Sequence, residues 1–311
     1  MKKILLIIAT ALATAAAVSA QDMAQATETY NNGAMALQAG NNAEALDNFK
    51  SALTMAEACG EEGADIVNNC KEYIPKIMFS IAKDSIKDGN LDKGLAEIDE
   101  AVALAKEYGV TDVVDDAETL KPQVLMNKAN NLLNAKNFVG AIAAYNEILK
   151  ANPSNGTAQL RLGVAYAQAG DLAKAEEAYL AAAANGQEKA ANKQLANMYL
   201  REAQSALKGQ KYAEAYDAAM KSNGYVESGN ALYFAGMSAQ KLGQDAKANE
   251  AFEQFLAVAP NDKKADDIRC TLAVSYQKAG DKAKAIEFYQ KILTNPKYAE
   301  VAKAQIAALQ K

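Results

Sequence analysis

The stretch Asn155-Gly-Thr-Ala-Gln-Leu-Arg-Leu-Gly-Val-Ala-Tyr-Ala-Gln-Ala-Gly-Asp171, followed by Leu172-Ala-Lys-Ala-Glu-Glu-Ala-Tyr179, decides how the chain is read. It joins two alanine-rich segments through Gly170, and its pattern of small and large residues recurs along the chain. Alanine makes up roughly a fifth of the residues, which favours helix over strand because Ala loses no side-chain entropy in a helix and is depleted in sheets. A small residue in the second segment of each unit can be placed at Ala45, Gly94, Ala141, Ala175, Ala215, Ala248 and Ala285. Twelve residues earlier, a position not used to set that register, the chain has Gly33, Ala82, Ala129, Gly163, Ala203, Gly236 and Ala273. Small side chains at both places let two helices cross closely.

On these residues the chain resembles the tetratricopeptide repeats, helix–turn–helix units of about 34 residues. The resemblance spans residues 24–297 and implies an all-α, right-handed helix–turn–helix repeat solenoid of about seven units. Gly40, Gly89, Gly170, Gly243 and Gly280 fall at one repeat position just past the first helix, where a left-handed residue is needed. Gly209 is displaced by one from it, and Lys136 replaces Gly in the third unit. Phe49, Ile98, Tyr145, Tyr179, Phe252 and Tyr289 supply a large second-helix residue, whereas Ala219 predicts a weakly packed or irregular fifth unit. Pro75 and Pro122 are read as starting units, and Pro153, Pro260 and Pro296 as ending them. Two long steps, around Cys59–Cys70 and Tyr108–Asp116, predict lengthened helices with longer loops between units. The resulting divisions are a leader at 1–20, two lengthened units at 21–121, five units at 122–297, and a capping helix at 298–311. Val301, Ile306 and Leu309 form the apolar face of that cap.

The first twenty residues grade from Lys2 and Lys3 through an apolar run, Ile4 to Val18, to Val18-Ser19-Ala20. This is the pattern of a secretory signal peptide cleaved after Ala20, placing the product in a bacterial periplasm or secreting it, with no membrane insertion after cleavage. Beyond Ala20 the chain has 38 acidic residues against thirty-one basic ones, only three of them Arg. Such a chain lacks the basic footprint expected for nucleic acid. Export permits disulfides, and Cys59 and Cys70 are the pair that one would join, burial of both as free thiols being the other reading.

The chain has no His, which excludes Ser-His and Cys-His catalysis and His-ligated metals. The adjacent carboxylates Asp115/Asp116, Glu176/Glu177 and Asp266/Asp267 point about 100° apart on a helix and read as solvated faces. No cofactor, metal site or enzymatic activity is expected. The resemblance implies a partner-binding groove lined by first helices. Carried over position by position, it assigns Asn127, Asn130, Arg161, Arg201, Gln204, Tyr233, Phe234 and Met237 to that groove, with Asn134, Lys208, Lys241 and Thr271 beside them. Arg161 and Arg201 share one repeat position in adjacent units, and a guanidinium pair flanked by amides suits a carboxylate or a peptide backbone. The rival reading of this pair is internal ion pairing with Glu177, Glu202 or Glu214. The expected partner is thus a protein or peptide, with exposed solenoid edges open to self-association. An extracytoplasmic small-ligand-binding protein, built around Tyr199, Tyr225, Tyr233 and Phe234, is the alternative, and an enzyme the weaker one.

Overall fold

The computed structural model describes residues 17–311, with side chains from residue 21; the leader reading rests mainly on residues outside that range. Among the described residues every regular element is helical. They divide into two compact units, residues up to Ala151 and from Asn152 onward. The division drawn from the sequence at 121/122 falls instead within a continuous helix.

Unit 1 contains α1 (Ala17–Gln38), α2 (Asn42–Ala58), α3 (Ala64–Lys87), α4 (Leu91–Tyr108), α5 (Thr111–Asn134) and α6 (Phe138–Ala151). They pack as three hairpins, α1/α2, α3/α4 and α5/α6, and each first helix also touches the next, α1 with α3 and α3 with α5. The two long steps are absorbed by helix, since α3 and α5 have 24 residues each. The expected longer loops are absent: a short 3-10 turn, Gly60–Gly63, joins α2 to α3, and Gly109 and Val110 alone separate α4 from α5. Consequently Pro75 and Pro122 do not start helices but lie inside α3 and α5. Each removes one amide from the hydrogen-bond ladder of a helix that continues past it. Pro75 is buried, adjoining the core of Tyr30, Phe49, Ile66, Cys70, Ile74 and Ile77.

Unit 2 contains α7 (Gly156–Ala169), α8 (Leu172–Ala182), α9 (Glu188–Lys208), α10 (Tyr212–Tyr225), α11 (Gly229–Lys241), α12 (Asp245–Val258), α13 (Ala265–Lys278), α14 (Lys282–Gln290) and α15 (Ala299–Leu309). Four hairpins, α7/α8 to α13/α14, are followed by α15 against α14. Asn155, Asp171 and Asp281 cap α7, α8 and α14 by accepting hydrogen bonds from backbone amides three residues on. The fifth hairpin is not irregular. Ala219 is fully buried, the Ser222 hydroxyl donates to the Ala196 carbonyl at 2.8 Å, and Tyr199 and Tyr225 stack 6.0 Å apart. A small residue here lets α9 and α10 approach closely. On α15 the inward face is Ala302, Ile306 and Leu309, while Val301 points outward with 55% exposure, so the cap's apolar stripe starts one residue later than expected.

The turn between the helices of a hairpin shows how position outranks residue type. The five expected glycines have φ between 70° and 89°, and Lys136 and Gln210 adopt the same left-handed conformation, at 60° and 59°. Gln210, not the neighbouring Gly209, therefore occupies the repeat position. Seven hairpins turn through one backbone conformation, which glycine enters at least cost.

Candidate functional site

The residues expected to form a binding face belong to both units. In unit 1, Asn127 is exposed on α5. Asn130, one turn on, is committed internally: its side-chain oxygen accepts the Tyr145 hydroxyl at 2.7 Å, tying α5 to α6.

In unit 2 the first helices α7, α9 and α11 stand side by side. Arg161 is exposed on α7, and Arg201 and Gln204 are exposed one turn apart on α9. Among the described residues, Arg161 and Arg201 form no ion pair with Glu177, Glu202, Glu214 or any other carboxylate, whereas Arg269 binds Asp266 at 2.6 Å and the Pro260 carbonyl at 2.8 Å. Arg201 lies within electrostatic reach of Tyr179. Burial pushes that hydroxyl up to about 12, with the Arg201 charge working against the rise.

Tyr233, Phe234 and Met237 on α11 are half-buried and shared between surface and core. Phe234 packs on the cluster containing Tyr179, Tyr199 and Ala235, and Tyr233 and Met237 on the cluster containing Leu232, Phe252 and Phe255. The Lys264 amine sits 4.9 Å above the Tyr233 ring. Of the four aromatics expected near the fifth and sixth units, Tyr199 stacks on Tyr225 and Tyr233 tilts against Phe234, which itself packs on the cluster of Tyr199 and Tyr225.

Other assignments change more. The Cys59–Cys70 bridge is not formed: all three cysteines are free. Cys70 faces the unit 1 core, where burial pushes its thiol up to about 12, while the Cys59 thiol donates to the Met55 carbonyl at 3.3 Å. Asp267 is exposed as expected and Asp266 half-buried, but both carboxylates are engaged. Asp266 accepts from Asn295 at 2.7 Å and pairs with Arg269; Asp267 accepts from Lys297 at 2.8 Å and from the Tyr298 hydroxyl. The Asn295 bond, with Arg269, holds the Asp266 carboxyl below the ordinary carboxylate pKa, and the Lys297 and Tyr298 bonds do the same for Asp267. Together they tie the start of α13 to the segment leading into α15. A second network missed in the sequence joins three helices: the Tyr276 hydroxyl donates to Glu253 at 2.6 Å, and Lys284 donates to both. Its residues lie 8 to 31 positions apart, a separation at which local pattern carries no signal. Among the described residues no group of three acidic or thiol side chains is arranged to hold a metal, and no helix is long and apolar enough to cross a membrane.

Stacked helical hairpins whose first helices adjoin, turning through one repeated left-handed residue, define an all-α helical-repeat protein. The chain carries tetratricopeptide repeats: one model of that repeat matches residues 126–190, and a second matches 230–262 and 271–297. No curated protein matches it in sequence. Among solved structures, a MamA protein is similar at 22% identity over 55% of this chain and 90% of that one, with a TM-score of 0.34. A second MamA structure is 19% identical over 60% of this chain and 98% of that one, TM-score 0.36. YrrB, described as a TPR protein with an unusual peptide-binding site, is 20% identical over 61% of this chain and 97% of that one, TM-score 0.34.

Proposed function

We propose that this chain is an exported scaffold of a bacterial periplasm or cell envelope that binds a protein or peptide partner on the first-helix face of unit 2, and that it is not an enzyme. The observation that carries this reading is the pair Arg161 and Arg201, exposed on adjoining helices without a carboxylate partner among the described residues, while Arg269 is engaged by Asp266 and the Pro260 carbonyl. An exposed guanidinium presents a planar fork of donors that suits carboxylates and main-chain carbonyls. Gln204 adds an amide one turn away, and the half-buried Tyr233, Phe234 and Met237 add apolar surface that a bound segment can cover. The perturbed carboxylates support recognition over catalysis, because Asp266 and Asp267 hold the C-terminal cap in place. Packing of Tyr199, Tyr225, Tyr233 and Phe234 against core clusters favours an open face over an enclosed small-ligand pocket. Export rests on the graded segment from Lys2 to Ala20.

The test is crosslinking capture from envelope fractions with the Arg161→Glu/Arg201→Glu double variant as control. Loss of one or more specific crosslinked partners is expected, with Tm changed little because both side chains are exposed. Identical capture by both proteins would remove the assignment. Cell fractionation with N-terminal sequencing tests export, the expected first residue being Gln21.

A further inference from the structure

Unit 1 contains a groove of about 620 Å³ between its second helices α2 and α4, on none of the residues discussed above for partner binding. Its floor is apolar: Leu53 from α2, Ile74 and Met78 from α3, Leu104 and Tyr108 from α4. Met78, Leu104 and Tyr108 are only half-buried. The α4 rim carries Glu100 and Glu107, both exposed, and among the described residues neither has an ion pair or hydrogen bond. They stand seven positions apart, two helical turns, and so lie on one face about 10 Å from each other. The α2 side contributes the exposed Lys50, and outside the lining Lys71 sits 5.5 Å over the Tyr108 ring and pairs with Glu57 at 3.4 Å.

Unit 2 supplies an internal comparison. A groove of about 470 Å³ lies between its own second helices α12 and α14, and there the charges satisfy one another. Glu253 pairs with Lys284 at 3.2 Å, Glu287 with Lys291 at 2.6 Å, and Arg269 with Asp266 at 2.6 Å. Unpaired rim carboxylates are therefore not a general property of such grooves. The charge of each unit follows the same division. Residues 21–151 hold twenty-one acidic residues against eleven lysines and no arginine, whereas residues 152–311 hold seventeen against twenty.

We propose that the α2/α4 groove is a second docking site whose occupant is an amphipathic helix of a partner protein. The helix sets an apolar stripe on Leu53, Met78 and Leu104 and places Lys or Arg side chains, seven residues apart, against Glu100 and Glu107. A helix matches because its own two-turn repeat equals the spacing of the two carboxylates, and an apolar floor between parallel rims is the geometry of helix-in-groove recognition. Methionine in the floor adapts to the side chains that arrive. The site is separate from the arginines of unit 2 and stands without them.

The probes are two synthetic amphipathic peptides with the same leucine stripe, one with lysines and one with glutamates on its flanks, titrated against the full mature chain by fluorescence anisotropy. The lysine peptide binds and the glutamate peptide does not. Glu100→Gln/Glu107→Gln weakens binding about tenfold, the scale of losing two charge contacts at a partly desolvated rim. Asp115→Asn/Asp116→Asn makes the same charge change elsewhere in unit 1 and shifts binding less than about twofold. Met78→Glu, which puts charge on the floor, abolishes binding, and circular dichroism verifies that each variant keeps its helix content. Equal weakening by the two amide double variants would reduce the effect to general charge attraction and overturn the site. So would binding of the glutamate peptide. Self-association of the chain that Glu100→Gln/Glu107→Gln abolishes would put a second copy in the groove and overturn the assigned occupant.

Discussion

At the scale of single residues, the repeat is set by what fits between two crossing helices and by what can turn left-handed. A Cβ built on Gly236 would meet the Phe252 ring at 2.4 Å, and one on Gly163 the Tyr179 ring at 2.6 Å. The large second-helix residue is thus packed over the small first-helix residue, and the two positions are read together. Gly236→Ala is expected to lower stability by about 1–3 kcal/mol through overpacking, measured by urea unfolding; an unchanged midpoint would mean the ring moves freely aside. At the turn the prediction has the opposite sign. Lys136 and Gln210 carry side chains where five sister turns have glycine. Lys136→Gly and Gln210→Gly should each stabilise the protein by up to about 1 kcal/mol, since removing the strained side chain outweighs the added freedom of the unfolded chain. Destabilisation by either would show that its side chain makes a contact worth more than the strain.

At the scale of elements, the two 24-residue helices and the C-terminal cap separate what was legible from what was not. The hairpins themselves were legible because their small residues, turn positions and large residues repeat at fixed spacing. Pro75 and Pro122 were misread because proline normally starts or stops a helix, and only packing from neighbouring helices keeps it inside one. Pro122 is exposed in α5, and Pro122→Ala should raise stability by about 1–3 kcal/mol by restoring an amide to the ladder and removing the ring clash. Thermal melting would check this, and a lower Tm would argue that the proline limits the unfolded chain more than it harms the helix. The cap is held by Asp266 and Asp267, whose folded pKa values lie below their unfolded ones. A depressed carboxylate contributes its stability above the unfolded value, near 3.9, and loses it as pH falls through the folded one. The cap should therefore stay docked at pH 5 and loosen below about pH 4, which hydrogen exchange of α15 amides at the two pH values would register. Equal protection at both would place the cap's stability in Ala302, Ile306 and Leu309 alone.

At the scale of the molecule, composition excluded much and located little. The absence of His narrowed the chemistry before any helix was placed. The binding face was only partly visible: Arg161 and Arg201 were exposed as their shared repeat position implied, but Asn130 was already committed to Tyr145 and the α11 aromatics to the core. The Asn130 commitment depends on a partner 15 residues away, beyond the reach of a periodic pattern. The division of charge between the two halves was present in the sequence throughout, yet gained meaning only when the structure placed a joint at Asn152.

Within each half, helices touch only those next in line or next but one. No early segment has to wait for a distant one to complete its packing. Assembly can begin at any hairpin and spread outward, a topology of low contact order that forms on the millisecond scale or faster. The same locality sets the route of loss, because the last hairpin has a neighbour on one side only. Proteolytic trimming under mild denaturant should accordingly advance inward from α15 in steps of one hairpin.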